Sequence, residues 1–110
     1  METVIVINND QMGHGDRELG QKTLATCLRK LGVAHDLDAI VLYNAGVRLT
    51  AKGSCVAVEL GLLYEKGVDI ISCGTCVKHY GLEDRMLFDQ ISNMDEILAV
   101  LHAARKVITL

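Results

Sequence analysis

The sequence predicts an α/β protein: a three-layer α/β/α sandwich around a mostly parallel five-stranded sheet of flavodoxin-like or Rossmann-like type. Short apolar runs alternate along the chain with segments of helical periodicity. The runs are continuously apolar, which is typical of strands buried on both faces of a parallel sheet. With 110 residues, 50% of them hydrophobic, the chain can build its own core, so we expect one domain over residues 1–110.

The first half of the chain supplies two strands and a long helix. Thr3–Asn8 is a β-branched run and is predicted to be the first strand. Asp16 is a suitable N-cap for a helix over Arg17–Leu31, and Gly32 is expected to end that helix. A second strand is predicted over Ala39–Tyr43.

The second half continues the alternation. A helix is predicted over Ser54–Lys66, with Gly67 ending it, followed by a third strand over Val68–Ser72. Asn93 with an acidic residue three positions later resembles a capping box and starts another helix. The other predicted elements are a short helix at about Gly74–Tyr80, an extended stretch over Met86–Ile91 and a last strand over Lys106–Leu110.

Composition excludes several classes of partner. The net charge is −3, the basic residues are scattered, Trp is absent and Phe occurs once, so we expect no nucleic-acid partner. The N-terminal apolar run Thr3–Ile7 has no basic start and is too short for a signal peptide or a membrane segment, so we expect no membrane partner. Four cysteines without an export signal indicate a reducing compartment, the cytoplasm, so we expect the thiols to be free, metal-bound or catalytic and not structural disulfides.

Three loops that follow the first three strands are the candidates for a site, because ligands of such sheets bind at the carboxyl ends of the strands. They are Asn8–Gly20, Tyr43–Ser54 and Cys73–Cys76. We expect them to converge at one edge of the molecule.

The first loop contains Gly13, His14 and Gly15 between a strand and a helix, an arrangement that can aim backbone amides at an anion. A dinucleotide fingerprint would need glycine where Glu18 stands, and no Gly-Lys-Ser/Thr follows for a phosphate loop. A tight turn explains the glycines equally well. His14 is either an exposed loop histidine or a general base.

The second loop contains Asn44 and Gly46. Both residue types tolerate a positive φ, so a turn alone would explain them. The functional interpretation is that Asn44 holds one loop against another or donates a hydrogen bond into the site.

The four cysteines fall into two groups. Cys27 and Cys55 lie on apolar helical faces, where a free thiol behaves as a small hydrophobic side chain. Cys73 and Cys76 lie where a strand ends and a short helix begins, and a helix N-terminus lowers the pKa of a thiol. Amides of the Gly74–Thr75 turn would stabilise a sulfur anion there.

Three chemistries fit a Cys-x-x-Cys pair. A zinc site would need further ligands, for which His14 and His79 are the candidates. A thioredoxin-like redox pair is less consistent with this chain, which has no proline and carries its motif late in the sequence. The third is sulfur relay, in which a thiolate accepts sulfane sulfur as a persulfide and hands it on.

The motifs resemble the DsrE/DsrF-like family, and specifically the DsrE-like domain of putative selenium-metabolism proteins of the YedF type. The resemblance runs from about residue 4 to residue 101. It is carried by Met12-Gly13-x-Gly15-Asp16 with Leu19-Gly20, Tyr43-Asn44-x-Gly46-Val47-x-Leu49, Ser72-Cys73-Gly74-Thr75-Cys76 with Tyr80-Gly81, and Asn93-Met94.

This resemblance implies a role for each thiol. Sulfurtransferases of the family carry an acceptor cysteine after a sheet strand with a glycine eight residues later, and Cys73 with Gly81 matches that spacing. Cys73 is therefore the implied acceptor and Cys76 its resolving thiol or second carrier. YedF-type proteins carry a TusA-like sulfur-carrier domain ahead of this region. This sequence starts at Met1 without one, so we expect either that a separate TusA-like protein is the partner or that the relay does not operate here.

The leading hypothesis is thus a cytoplasmic sulfur-relay protein that needs no cofactor and forms homo-oligomers, as family members commonly do. The alternatives are a non-catalytic binding or assembly module whose thiols pack or hold a metal, and a small-molecule or nucleotide-binding domain that uses the glycine loop. The residues predicted to line the site around Cys73 and Cys76 are Gly13, His14, Gly15, Asn44, Gly46, Gly74 and Thr75.

Overall fold

Five strands form one sheet in the computed structural model, which describes residues 2–110. The strands are β1 (Thr3–Ile7), β2 (Ala39–Leu42), β3 (Asp69–Cys73), β4 (Ile91–Ser92) and β5 (Lys106–Thr109). Their order is β4-β3-β2-β1-β5, and all four neighbouring pairs are parallel. The predicted five-stranded sheet is confirmed.

Helices connect the strands. They are α1 (Arg17–Ala34), α2 (Ala57–Glu65), α3 (Gly74–His79) and α4 (Met94–Ala103), with 3₁₀ helices at Asn44–Thr50 and Glu83–Arg85. Within residues 2–110, none of the helices has the length and apolar character needed to cross a membrane.

The helices divide between the two faces of the sheet because parallel crossovers are right-handed. The chain steps in one direction from β1 to β4, which places the first three helices on one face, where Leu24 and Leu60 join a core with Ile40. The return from β4 to β5 reverses direction and places α4 on the other face, where Ile97 packs with Val41. The predicted three-layer sandwich is confirmed.

The first helix begins as predicted but ends later. Asp16 caps it by accepting a hydrogen bond from the Leu19 amide at 2.8 Å. Gly32 does not end the helix, which continues to Ala34. A Cβ at position 32 would lie 3.0 Å from Cδ2 of Leu63, so glycine here allows α1 and α2 to pack closely.

The second helix is shorter than predicted, and the extended stretch is largely absent. α2 begins at Ala57 and is followed by Gly67 at φ +93°, the left-handed conformation expected after a helix end. The backbone of Met86 pairs with Ala51, and the Leu87 amide donates to the Thr50 carbonyl at 2.8 Å. Since those hydrogen bonds go to the loop after β2, only the last two-residue strand joins β3.

The 3₁₀ helix Asn44–Thr50 crosses the carboxyl end of β1 at very short range. Gly46 is buried there, and a Cβ added to it would lie inside the van der Waals distance of the Ile7 carbonyl oxygen. The Tyr43 amide donates to that same carbonyl at 3.3 Å. This close approach fixes the path of the chain after β2.

We expect Gly46→Ala to lower the free energy of unfolding by about 3 kcal/mol, because the backbone of β1 cannot move away from the added methyl group. Urea unfolding measures this change. The matched control is Gly61→Ala in α2, where a Cβ meets nothing within 4 Å and should stabilise the helix by roughly 0.5 kcal/mol. Equal stability of the two variants would contradict this account.

Candidate functional site

Cys73 and Cys76 lie together at the carboxyl edge of the sheet. Cys73 is the last residue of β3 and is only 4% exposed, within the core on the α4 face. Cys76 follows in the first turn of α3 and is half-buried. Cys76 packs against the apolar cluster to which Cys73 belongs. The pair therefore consists of one enclosed sulfur and one sulfur nearer to solvent.

The two residues between the thiols have different surroundings. A Cβ at Gly74 would lie 3.1 Å from the Ser92 carbonyl oxygen, so glycine lets α3 begin directly against β4. Thr75 is exposed at the surface. Their predicted contribution to stabilising a sulfur anion stays a prediction.

Asn44 connects the loop after β2 to the thiol pair. Its φ is +51°, a conformation that Asn adopts more readily than most residues. Its main-chain amide donates a hydrogen bond to Sγ of Cys76 at 3.1 Å. The Tyr80 hydroxyl donates to Oδ1 of Asn44 at 3.2 Å, which ties α3 to the same residue. Asn44 thus has the positive φ expected of a turn residue, and it also contacts the Cys73–Cys76 segment through a hydrogen bond.

The pKa of Cys76 is set by opposing effects. Burial raises it, the Asn44 amide lowers it, and the neighbouring Cys73 side chain raises it again. The net direction is upward from the ordinary thiol value. The expectation of a lowered thiol pKa is therefore wrong for Cys76, because desolvation outweighs the single amide.

The glycine loop, residues 13–15 between β1 and α1, is an exposed turn. Gln11 Nε2 donates to the carbonyl oxygens of Gly13 and Gly15, each at 3.2 Å, and Gly13 has a φ of +78°. His14 is exposed between them. In the described part of the chain, this loop makes no hydrogen bond to the Cys73–Cys76 segment, and its predicted part in binding stays a prediction.

Three residues around the site were missed by the sequence analysis: Tyr80, Arg48 and Asp10. The Arg48 guanidinium lies 5.3 Å from the centroid of the Tyr80 ring, within cation–π distance. The same guanidinium approaches the buried carboxylate of Asp10 at 3.5 Å. Opposite charges on loops that follow neighbouring strands are the signal that could have indicated this contact.

The other two cysteines also differ from each other. Cys27 is half-buried on α1, consistent with packing. Cys55 is exposed and lies before the first residue of α2, so its interpretation as a packed side chain is wrong. The helical periodicity that suggested a buried position does not apply, since the helix begins two residues later.

The histidines proposed as zinc ligands lie apart from any ligand cluster. His79 packs edge-on against the ring of Tyr80, with centroids 5.0 Å apart. Among residues 2–110, no three His, Cys, Asp or Glu side chains are grouped closely enough to hold a metal ion.

The architecture and the strand-end thiol pair define a small α/β protein with a cysteine site at the carboxyl edge of a parallel sheet. The model of the DsrE/DsrF-like family matches residues 1–110, and the chain belongs to that family. No curated protein matches the sequence.

Solved structures share this fold at low sequence identity. The YchN protein of E. coli is similar with a TM-score of 0.71 and 21% identity, over 99% of this chain and 98% of that one. A conserved protein of unknown function from Bacteroides thetaiotaomicron, BT1422, is similar with a TM-score of 0.70 and 16% identity, over 99% of this chain and 95% of that one. MTH1491 of Methanobacterium thermoautotrophicum, also of unknown function, is similar with a TM-score of 0.67 and 19% identity, over 96% of this chain and 97% of that one.

We expect alkylation of Cys76 by iodoacetamide to reach half its plateau rate at a higher pH in the folded protein than in the urea-unfolded chain. Only the thiolate reacts, and burial raises the folded pKa of Cys76, so the folded protein holds less thiolate at neutral pH. Peptide mass spectrometry over a pH series measures the rate at this residue.

Cys73→Ala is the matched variant for that titration. Cys73 raises the pKa of its neighbour, so its removal should bring the Cys76 midpoint below that of the wild type. If the pH midpoint of Cys76 alkylation in the folded wild type lies at or below that of the unfolded chain, the Asn44 amide lowers the pKa of Cys76 by more than burial raises it.

Proposed function

We propose that this protein is a sulfur-relay protein, a sulfurtransferase that accepts sulfane sulfur as a persulfide on Cys73 and passes it to a carrier protein. The observation that carries the proposal is the thiol pair itself: Cys76 packs against the apolar cluster that contains Cys73, and the main-chain amide of Asn44 donates to Sγ of Cys76. Membership of the DsrE/DsrF-like family, which is generally linked to sulfur relay, supports it.

The chemistry uses the two thiols in turn. The Cys73 thiolate attacks the sulfane sulfur of a donor, a sulfur–sulfur bond forms, and the donor's remaining group leaves with the electron pair of the broken bond. A carrier thiolate then attacks the outer sulfur, and Cys73 leaves as a thiolate. If Cys76 attacks the inner sulfur instead, a disulfide forms and hydrosulfide is released.

The environment of the pair suits this exchange. The enclosed position of Cys73 would protect a persulfide from stray oxidants, and Cys76 is the more exposed of the two thiols. The Asn44 amide would stabilise negative charge on Cys76 when that thiol acts. A reducing cytoplasm would keep all four thiols free.

The partner we propose is a small TusA-like sulfur carrier whose own cysteine must reach the thiol pair. The exposed Thr75, between the two cysteines, places this segment at the surface of the sheet edge, where such a thiol could approach. We propose no organic cofactor, because thiol exchange needs none.

Incubation with a sulfane-sulfur donor, followed by intact-protein mass spectrometry, tests the relay. We expect the wild type to gain the mass of at least one sulfur atom, and Cys73→Ser to gain none. Cys76→Ser should retain the added sulfur for longer, because the resolving thiol is gone.

Cys27→Ser is the matched control for this experiment, since Cys27 is a half-buried thiol away from the pair. It should gain sulfur as the wild type does. The relay is overturned if no form gains sulfur, or if the added sulfur is lost from Cys27→Ser and kept in Cys73→Ser.

A non-catalytic assembly module is the second candidate, and apolar side chains on one side of the molecule favour it. Met94 and Leu98 on α4 are 45% and 47% exposed, and Val107 on β5 is 43% exposed. Val107 pairs in register with Val4, whose side chain packs on the α4 face. We propose that copies of the chain associate through this face, which is compatible with either function.

Leu98→Glu should therefore reduce the assembly to a monomer, because a carboxylate cannot be buried unpaired in an apolar interface. Sedimentation equilibrium measures the mass. Val58→Glu is the control: Val58 is 70% exposed on α2, a helix of the opposite face, and its replacement should leave the mass unchanged. The same mass for the wild type and both variants would contradict assembly through α4.

A further inference from the structure

A second cavity, separate from the thiol pair, lies at the same edge of the sheet. Its volume is about 280 Å³, and the loops after β1 and β2, the start of α1 and the 3₁₀ helix Glu83–Arg85 contribute its walls. The carboxyl ends of parallel strands are where ligands of such sheets bind. The cavity thus occupies a position at which a bound molecule is expected.

The cavity concentrates positive charge in a chain whose net charge is −3. Arg17, Arg48, Lys52 and Arg85 line it, four of the 11 lysines and arginines. Asp10 is the acidic side chain among its lining residues. The cavity wall therefore carries a net positive charge, which would attract an anion.

The buried carboxylate of Asp10 orients two of the guanidinium groups. Its side chain is 7% exposed, and its two oxygens accept from Arg17 at 2.8 Å and from Arg48 at 3.5 Å. A guanidinium has five N–H donors, and each of these uses one on Asp10. One carboxylate charge also balances only one of the two cations, which leaves both donors and charge for a ligand.

The other two cations are held less tightly. The Arg85 guanidinium donates to the Lys52 carbonyl oxygen at 3.2 Å, which joins the two loops that carry them. Both side chains are exposed and line the cavity. They can close on an anion that enters from solvent without breaking an ion pair.

The size of the cavity limits the ligand. Pockets for drug-sized molecules start at roughly 300 Å³, and this cavity is at that lower bound. An arginine guanidinium can donate two parallel hydrogen bonds to two oxygens of a sulfate or phosphate group. The geometry favours a small, divalent oxyanion over a nucleotide or a long acid.

The thiol of Cys55 also lines this cavity. Although the residue as a whole is exposed, partial burial of the thiol raises its pKa, its own backbone amide and the charge of Arg17 lower it, and Asp10 and Glu59 raise it. Glu59 is itself paired with Arg29 at 3.3 Å. An exposed thiol at this position gives a direct chemical probe of whether the cavity is occupied.

We infer that the cavity between Asp10, Arg17, Arg48, Lys52 and Arg85 is a binding site for a small divalent oxyanion of the sulfate and phosphate class. The site does not depend on persulfide chemistry at Cys73. It adjoins the thiol pair through Arg48, which contacts both Asp10 and the Tyr80 ring.

The rate at which iodoacetamide alkylates Cys55 in the folded protein tests this site. Peptide mass spectrometry follows the rate as sulfate or phosphate is added at fixed pH, with sodium chloride holding the ionic strength constant. We expect a saturable decrease at Cys55 and none at Cys27, which lies outside the cavity. The anion with the lowest half-saturating concentration identifies the preferred source of the oxyanion.

Two variants assign the effect to the cavity. Arg85→Gln and Lys52→Gln should each raise the half-saturating concentration about tenfold, the loss expected for one charge-assisted hydrogen bond. Lys30→Gln removes the same charge from an exposed position that does not line the cavity, and should change nothing.

Either of two results overturns the site. The first is that no anion slows the alkylation of Cys55 more than that of Cys27. The second is that Arg85→Gln and Lys52→Gln both show the same half-saturating anion concentration as Lys30→Gln. If Arg85→Gln fails to fold, as its urea midpoint would reveal, Lys52→Gln alone decides. The readout is independent of sulfur transfer, so failure here leaves the relay experiment unaffected.

Discussion

The close passage of the 3₁₀ helix Asn44–Thr50 over the end of β1 is the constraint on which the site depends. It is possible because Gly46 has no Cβ to collide with the Ile7 carbonyl. The same passage presents the Asn44 amide to Cys76 and carries Arg48 to Asp10. A single steric requirement therefore positions groups of both the thiol pair and the cationic cavity.

The two neighbouring sites differ in how they treat charge. At the thiol pair, burial opposes ionisation of Cys76, and one amide partly offsets it. At the cavity, four cationic side chains line the wall together with a single carboxylate, which pairs with two of them. Arg48 lies between them, in contact with the Tyr80 ring on one side and Asp10 on the other. The Tyr80 hydroxyl in turn donates to Asn44, whose amide contacts Cys76.

The topology also explains why one face of the molecule is less well covered than the other. Three successive crossovers in one direction place three helices on the same face, and the single return crossover supplies only α4 to the other. All four residues of β5, at the edge beside β1, remain exposed. The apolar side chains left at the surface of α4 and β5 follow from the order of the strands.

Local patterns in the sequence determined the elements and the order in which they occur: Asp16 and Asn93 cap their helices as the spacing predicts, and Gly67 follows the end of α2. Capping and turn preferences act between residues a few positions apart, so they are visible without a structure. The long-range contacts were decided by tertiary structure: Gly32 packs against α2 instead of ending α1, and Met86 pairs with Ala51 instead of extending a strand.

The site divides in the same way. The sequence alone indicated Cys73 and Cys76, because a thiol pair after a buried strand is a local signal, and it indicated Asn44 as a turn that could reach them. The partners of these groups, and the exposure of Cys55 in a cationic cavity, depend on residues brought together from distant loops. Such contacts arise only when parallel strands align their carboxyl ends, which no local pattern records.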